Sequence, residues 1–451
     1  MSSLLERVAT MCAGAEPATQ RIALQTANGA VSYDELILLA QRRRAQHDGV
    51  RGKSLALEYD GLLDFCVGLL AFDGWCSALW LSAPQLSPAE RAQHGRQIGC
   101  RFGWRSGDVH QDEMAPTSSD IAAQDDTGTQ PVTRWWLTTS GTSGSPKLIG
   151  HTLAGLSGKI RVSAFSRSLC WGLVYLPYRF AGLQVVLQAL LSGATLVDAQ
   201  GPEPDQRIAA MVQHDVTALS ATPSLWRSLL MTGRLAQLGL RQLTLGGEIA
   251  DQALLTWLRR LFPQAKLLHI YASTEAGVGF TVADGRDGFP TAWLTSENSA
   301  APLPMRIDAR QHLLVRPAAG VMTGIDAARI DADGFLDTED LVCVENDRVH
   351  FLGRAGGVIN VGGNKVHPEQ VEQVILDVPG IVQVRVYGKR SSVLGQLVAA
   401  DVVAAEPERQ AALQATVMQH CLRHLARYQI PAKFNWVTSI HAGESGKMTR
   451  D

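Results

Sequence analysis

The chain has 451 residues, of which 46% are hydrophobic and 19% charged, and its formal net charge is −2 at pH 7. This is the composition of an ordinary globular protein, and the length predicts two or three domains. A near-neutral chain without a basic stripe excludes a general nucleic-acid binder. The seven cysteines include no C-x-x-C pair, which favours buried thiols in a reducing compartment.

The first part of the chain predicts helices and strands without a targeting or membrane segment. MSSLLERVATMCAG lacks the apolar block of a signal peptide. The most apolar stretch, 62–83, carries Asp64 and Asp73, so it predicts a helix and a buried strand, not a membrane span. We therefore expect a cytoplasmic protein. The polar segment 105–133 predicts a surface loop or crossing.

Strand-like and helical patterns alternate as far as residue 263, which predicts mainly parallel sheets wrapped by helices. From about residue 303, short strands and turns predict a small barrel-like β part. After a pair of glycines at 356–357 the pattern predicts a small α+β domain. The expected fold class is α/β, with a large N-terminal domain at 1–355 and a small mobile C-terminal domain at 356–451.

A stretch rich in glycine and hydroxyl groups, 138-TTSGTSGSPK-147, follows the apolar run 135–137. Such a loop surrounds anionic oxygens with backbone N–H groups and hydroxyls, and Lys147 adds a positive charge. The P-loop pattern of nucleotide hydrolases is absent, because Lys147 follows Pro146 and Leu148 stands where Ser or Thr would be required. Taken alone, the stretch fits a phosphate loop or a plain surface turn.

Three further motifs follow it in the chain: 271-YASTE-275, 338-TED-340 with 353-GR-354, and 445-SGK-447. Together and in this order, the four motifs resemble those of the adenylate-forming (AMP-binding) superfamily. Its members include acyl- and aryl-CoA synthetases, the adenylation domains of peptide synthetases, and luciferases. The resemblance runs nearly end to end, beginning at 31-VSYDEL-36.

The resemblance implies an ATP site with a Mg²⁺ ion. Tyr271 would stack near the adenine, Asp340 would accept from both ribose hydroxyls, and Arg354 would support the ribose or a phosphate. Thr274 would meet the α-phosphate. The residues that the resemblance assigns to ATP are Thr139, Ser140, Gly141, Thr142, Ser143, Gly144, Lys147, Gly246, Gly247, Glu248, Tyr271, Ala272, Ser273, Asp340 and Arg354.

Glu275, with Thr142, would hold the metal, because a carboxylate and phosphate oxygens suit a hard cation. Without the resemblance, the sequence favours a carboxylate at the start of a helix for Glu275 and a core aromatic residue for Tyr271.

The resemblance makes Lys447 the catalytic lysine, acting with Thr274 and Glu275. It would bridge the acid's carboxylate and the α-phosphate, two anions that otherwise repel each other. Without that context Lys447 reads as a solvated charge.

The small domain would turn about Gly356, and the stretch with Gly362, Gly363 and Lys365 would form the thiol tunnel. A solvated surface lysine is the alternative for Lys365.

The acid pocket would be lined by Arg179, Phe180, Thr222, Gly247, Tyr271 and Gly277. No acidic residue stands in 175–184, where amino-acid-activating relatives hold the α-amine, so an α-amino acid is disfavoured. The neighbouring apolar and aromatic residues favour an aryl or medium acyl acid: Phe180, Leu183, Trp226, Tyr271 and Val278. Arg179 departs from the histidine common in relatives, and a salt-bridged structural role is its alternative. Arg227 resembles an arginine of succinylbenzoate ligases, although arginines on helix surfaces are common.

We therefore predict an ATP-dependent acid–thiol ligase that forms an acyl-AMP, releases pyrophosphate and passes the acyl group to a thiol. CoA is the favoured acceptor, and a separate carrier protein with a phosphopantetheine arm is the alternative. A homodimer is compatible with the sequence. Two other classes are a non-catalytic nucleotide-binding protein and an NTPase that releases ADP.

Overall fold

The structure is a computed structural model. The residues that it describes are 2–13, 21–84, 86–105, 108–111, 132–139, 147–294, 303–317, 327–391 and 395–440.

The described residues form α-helices and β-strands that we number in chain order. The helices are α1 (Leu4–Ala13), α2 (Tyr33–Gln46), α3 (Leu62–Phe72), α4 (Pro88–Ile98), α5 (Leu153–Ser157), α6 (Ala164–Arg167), α7 (Phe180–Ser192), α8 (Pro204–Gln213), α9 (Pro223–Met231), α10 (Gln252–Leu261), α11 (Pro368–Leu376) and α12 (Gln410–His424).

The strands are β1 (Ile22–Thr26), β2 (Gly29–Ser32), β3 (Ser54–Leu57), β4 (Ala78–Leu81), β5 (Phe102–Arg105), β6 (Asp108–Gln111), β7 (Arg134–Thr139), β8 (Lys147–Thr152), β9 (Cys170–Leu173), β10 (Thr195–Asp198), β11 (Ala218–Ala221), β12 (Gln242–Gly246), β13 (Lys266–Ser273), β14 (Gly277–Val282), β15 (Phe289–Pro290), β16 (Met305–Ile307), β17 (His312–Val315), β18 (Leu336–Glu345), β19 (Arg348–Arg354), β20 (Ile359–Val361), β21 (Asn364–Val366), β22 (Ile381–Ser391), β23 (Gly395–Ala404) and β24 (Lys433–Trp436).

Two of the sheets are mainly parallel. One has the order β14-β13-β12-β11-β9-β10-β1-β2 and the other β6-β5-β3-β4-β7-β8. Pairing is parallel in the middle of each sheet and antiparallel at both edges. One apolar core joins residues of both sheets with α3 and α7, and a second covers the eight-stranded sheet with α8, α9 and α10. The predicted fold class is confirmed here.

The apolar stretch at 62–83 forms a buried helix and a buried strand, as the sequence predicted. Asp73 follows α3 and is only 3% exposed. Its carboxylate accepts hydrogen bonds from the Trp135 indole at 2.8 Å and the Leu4 backbone N–H at 2.7 Å. Burial raises the pKa of Asp73, and these bonds satisfy the buried oxygens. Among the described helices, none combines the length and the apolar character that a bilayer crossing needs.

The remaining two sheets lie later in the chain. An antiparallel sheet, β15-β19-β18-β17-β16, corresponds to the predicted small β part. The last sheet has the order β21-β20-β23-β22, with β24 also paired to β23. It shares a separate apolar core with α11 and α12. The domain boundary predicted at 355/356 stays a prediction.

The structure of the polar segment 105–133 differs in part from the predicted surface loop. Within it, β6 pairs antiparallel with β5, so that Trp104 lies opposite Val109. This strand forms the edge of the six-stranded sheet. It is too short for its apolar periodicity to predict a strand from the sequence. Residues 112–131 lie outside the described residues.

Candidate active site

The hairpin of β7 and β8 carries the predicted phosphate loop. Thr139 lies opposite Lys147 in the strand register, and its hydroxyl donates to the Lys147 carbonyl at 3.4 Å. Lys147 is exposed. Thr139 and Lys147 therefore stand at the two ends of the connection. The predicted residues between them, Ser140, Gly141, Thr142, Ser143 and Gly144, lie outside the described residues.

Three predicted nucleotide residues form one hydrogen-bonded group, which we call the site network: Tyr271, Asp340 and Arg354. The Tyr271 hydroxyl donates to Asp340 Oδ2 at 2.6 Å, and Arg354 Nε donates to Asp340 Oδ1 at 3.0 Å. Asp340 and Arg354 pair across β18 and β19, whereas Tyr271 comes from β13 of the eight-stranded sheet. The network therefore joins two sheets at the position predicted for the ribose.

The charged groups of the site network shift the pKa values of their neighbours. The Asp340 side chain is 15% exposed and that of Arg354 is 44% exposed. Burial alone would lower the pKa of Arg354, but the carboxylates of Asp340 and Glu275 outweigh it and raise that pKa. Burial and the nearby Asp340 carboxylate raise the pKa of Tyr271 well above its usual value. Tyr271 is therefore a neutral donor toward a charged carboxylate.

The ring of Tyr271 belongs to an aromatic cluster. It stacks on Phe280 with a centroid distance of 5.0 Å and on Phe351 with a distance of 5.2 Å. Phe289 in turn contacts both phenylalanines. These contacts fix the position of the tyrosine ring. They agree with the alternative interpretation of Tyr271 from the sequence, a core aromatic residue. A stacking contact with adenine stays a prediction.

The turn after β13 carries Thr274 and Glu275. Its geometry is fixed by Ser273, whose hydroxyl accepts from the Ala276 N–H at 3.0 Å and whose backbone pairs with Gly277. Gly277 has a φ of 72°, a conformation that favours glycine. Ala272 lies opposite Val278. The turn thus places Thr274 and Glu275, both half-buried, at the connection between β13 and β14, close enough for the Glu275 carboxylate to raise the pKa of Arg354.

A histidine that the sequence analysis did not select lies next to this turn. His151 on β8 has no exposed surface, and its ring packs against that of Phe180 at 5.8 Å. Burial lowers the pKa of His151 to about 4, and the Thr274 backbone and the Glu275 carboxylate oppose this shift. Neither ring nitrogen is aligned for a hydrogen bond to a described residue. The sequence feature that could have indicated His151 is a single histidine within the apolar run 148-LIGHTL-153.

Arg179 and Phe180 stand at the beginning of α7. Arg179 precedes the helix, and its Nη1 donates to the Thr138 carbonyl at 3.2 Å. Its guanidinium also lies 5.4 Å from the centre of the Tyr178 ring. No ion pair of the described residues includes Arg179, so the salt-bridged alternative is not what the structure shows. The arginine instead holds the end of β7, the strand that leads into the predicted phosphate loop.

Thr222 and Glu248 stabilise the beginning of α9. The Thr222 hydroxyl accepts from the Leu225 N–H at 3.1 Å, and Glu248 Oε2 accepts from the Ser224 N–H at 2.8 Å. Both therefore bind the first turn of a helix. Gly246 ends β12, and Gly247 follows it with a φ of 82°. Any contact of these four predicted residues with substrate stays a prediction.

Arg227 forms an ion pair with Asp251, the residue that caps α10. Both side chains are largely buried, with exposures of 14% and 11%. Because Asp251 already neutralises the guanidinium, the structure favours a structural role for Arg227 over contact with a dianionic acid.

The predicted hinge and tunnel residues lie on exposed backbone. Ala355–Gly357 forms a short 3-10 turn that includes Gly356. Gly362 and Gly363 connect β20 to β21 with φ values of 56° and 91°, as a two-residue turn with a left-handed conformation requires. Lys365 follows on β21 and is exposed. Lys447 lies outside the described residues, so its distance from the site network is not defined.

The donor set near the turn fits a single hard cation held jointly with a nucleotide. Glu275 forms no ion pair with any described residue. No group of three or more metal-binding side chains occurs in the described part of the chain. One carboxylate, completed by phosphate oxygens and water, is the way proteins commonly bind Mg²⁺.

The fold and the site network together define a class of protein, an α/β protein with two mainly parallel sheets and a candidate nucleotide site where one of them meets the antiparallel sheet of β18 and β19. Two family models match the chain: "AMP-binding enzyme" over residues 90–307 and "AMP-binding enzyme C-terminal domain" over 370–447. The chain belongs to the AMP-binding enzyme family, as its motifs predicted.

Curated relatives and solved structures agree with this membership. A 2-succinylbenzoate–CoA ligase of Staphylococcus epidermidis is 25% identical over 69% of this chain and 67% of its own length. A salicylyl-CoA synthase/salicylate adenylyltransferase of a Streptomyces species is 29% identical over 75% of this chain and 63% of its own.

The crystal structure of the anthranilate CoA ligase AuaEII with anthranoyl-AMP has a TM-score of 0.78. It is 16% identical to this chain and covers 98% of it, and the match covers 95% of that chain. This structure confirms the fold, and the two relatives agree with the predicted enzyme class, an acid–thiol ligase.

Proposed function

We propose that the protein is an ATP-dependent acid–thiol ligase that activates an aryl or medium acyl acid as its acyl-AMP, releases pyrophosphate and transfers the acyl group to CoA. The observation that carries this proposal is the site network. Asp340 accepts one bond on each oxygen, from Tyr271 and Arg354, and a carboxylate has further lone pairs for the two hydroxyls of a ribose.

The substrate class is supported by the surroundings of the site. Phe180 offers a flat apolar ring next to the predicted pocket residues, and His151, which packs against it, adds one buried polar group. An aryl carboxylate combines these properties. Both curated relatives are ligases of substituted benzoates by their names, so we assign the same class of acid to this chain.

The first half-reaction joins two anions, and the chain supplies the groups that reduce their repulsion. Glu275, with Thr142, would hold Mg²⁺, which when bound offsets charge on the phosphates. Thr139, Ser140 and Lys147 would bind the departing pyrophosphate, and Thr274 the α-phosphate. Lys447 would stabilise the charge that develops as the carboxylate attacks phosphorus, which lowers the barrier instead of merely binding substrate.

For the second half-reaction we propose that the C-terminal part, 356–451, rotates about Gly356. The turn of Gly362 and Gly363, with Lys365, would then approach the acyl-AMP and form the thiol tunnel. Rotation of this kind lets one site serve two reactions in sequence.

The decisive experiment is exchange of labelled pyrophosphate into ATP in the presence of single acids. We expect exchange that requires the acid and, when CoA is added, formation of acyl-CoA with AMP as the nucleotide product. Release of ADP would instead indicate an NTPase, and nucleotide binding without exchange a non-catalytic protein. Acid-dependent exchange that produces no acyl-CoA would redirect the search to a carrier protein.

A further inference from the structure

His151 is a buried imidazole whose ring nitrogens form no well-aligned hydrogen bond with a described residue. Its side chain has no exposed surface, and only the Thr274 backbone interacts with the ring as a weak hydrogen-bonding neighbour among the described residues. Buried polar groups nearly always have partners, so each exception requires an explanation. His312 shows the usual arrangement, because it is 9% exposed and its Nδ1 lies 3.1 Å from the Asp337 carboxylate.

The surroundings of His151 connect it with the candidate acid pocket. Its ring packs against Phe180 at the start of α7, with the centroids 5.8 Å apart. On another side the ring lies near the Thr274 backbone, and the charged groups that act on it are Arg134 and Glu275. His151 therefore stands where β8, α7 and the turn after β13 meet, beside three residues already predicted to contact substrate or ATP.

We propose that His151 is a specificity-determining residue that donates a hydrogen bond to a polar ring substituent of the aryl acid, such as a hydroxyl. This proposal rests on the proposed function. An imidazole carries at least one N–H donor in either protonation state. Phe180 packs on one side of the donor and suits a flat hydrocarbon ring. An unsubstituted acid would leave the buried donor unpaired, and sites built around such a donor discriminate against acids that cannot pair with it.

The test compares benzoate with 2-, 3- and 4-hydroxybenzoate in wild type and in H151L and H151N. The value of kcat/KM is measured by acid-dependent pyrophosphate release, and acid binding by calorimetry. We expect wild type to prefer at least one hydroxylated acid. H151L should reduce that preference about tenfold, the effect of one hydrogen bond. H151N, which keeps an N–H donor, should retain part of it.

His94 provides the matched control, because it is also a buried histidine but packs against Trp80. H94L should change kcat/KM for all four acids by the same factor. If H151L also lowers kcat/KM for all four acids by the same factor, His151 has only a structural role and the proposal is overturned. If no acid supports catalysis in wild type, the proposed function fails, yet a binding preference for a hydroxylated acid that H151L abolishes would still support His151. Equal binding of all four acids by wild type would overturn it.

Discussion

Two groups of the same three residue types occur in different regions of the molecule. The site network consists of Tyr271, Asp340 and Arg354. The second group, which we call the sheet network, consists of Tyr387, Asp401, Arg385 and the additional amide of Asn435. In the sheet network Asp401 accepts from Arg385 at 2.6 Å, Tyr387 at 3.2 Å and Asn435 at 2.9 Å.

The two groups differ in how much hydrogen-bonding capacity they leave. Asp401 is 8% exposed and lies opposite Arg385 on β22 and Asn435 on β24, so neighbouring strands satisfy it. Asp340 has one donor on each oxygen, and one of its partners comes from a different sheet. The same chemistry thus stabilises a sheet where it is saturated and provides a candidate binding site where it is not. The predictions below test that distinction.

The largest effect is expected from K447A. If Lys447 stabilises the charge of the transition state, its removal costs on the order of 3 kcal/mol, or about a hundredfold in the rate of acyl-AMP formation. ATP binding should remain nearly intact. Single-turnover kinetics and calorimetry measure the two quantities. K433A, which removes an exposed lysine of β24, is the control, and unchanged adenylation in K447A would remove the role assigned to this lysine.

The second prediction compares D340N with D401N. D340N should raise the KM for ATP roughly tenfold, because the amide loses the charge that binds the ribose hydroxyls and Arg354. D401N should leave this KM unchanged but reduce the free energy of unfolding by about 2 kcal/mol, because Arg385 loses a charge-assisted partner. Steady-state kinetics and chemical denaturation check both variants. The comparison fails if D401N changes the KM as much as D340N does.

The third prediction concerns the two tyrosines. Y271F keeps the stacking on Phe280 and Phe351 but removes the donor to Asp340. The KM for ATP should change roughly threefold, because Asp340 becomes less well oriented. Y387F should lower stability by about 1 kcal/mol without changing the KM. Identical kinetics of Y271F and wild type would show that Asp340 does not need this donor for nucleotide binding.

The sequence predicted the fold class and the family because both depend on patterns that are local or ordered along the chain. The alternation of strands and helices and the four motifs are of this kind. The site network was predicted only in part. Asp340 and Arg354 belong to recognised motifs, but nothing local indicates that the Tyr271 hydroxyl would reach Asp340 from another sheet.

His151 and Glu248 also show that a sequence pattern does not predict contacts with distant elements. His151 lies in an apolar strand, so its position beside Phe180 and Thr274 emerges only when two sheets are packed together. Glu248 was selected by its motif, and the structure also uses it to bind the first turn of α9. A motif identifies a residue and its neighbours in sequence, whereas partners from distant elements depend on tertiary packing.

The smallest expected effect is a pH dependence of the sheet network. Burial alone would raise the pKa of Asp401, but the hydrogen bonds from Asn435 and Arg385 outweigh it and lower that pKa. The folded value therefore lies below the value of about 3.9 of an unfolded chain. A carboxylate of this kind contributes stability that is fully present above about pH 4 and is lost as the pH falls through the lower folded value. The difference in Tm between wild type and D401N should accordingly be constant from pH 7 to about pH 5 and shrink toward pH 3. A difference that persists unchanged at pH 3 would mean that the Asp401 charge does not stabilise this sheet.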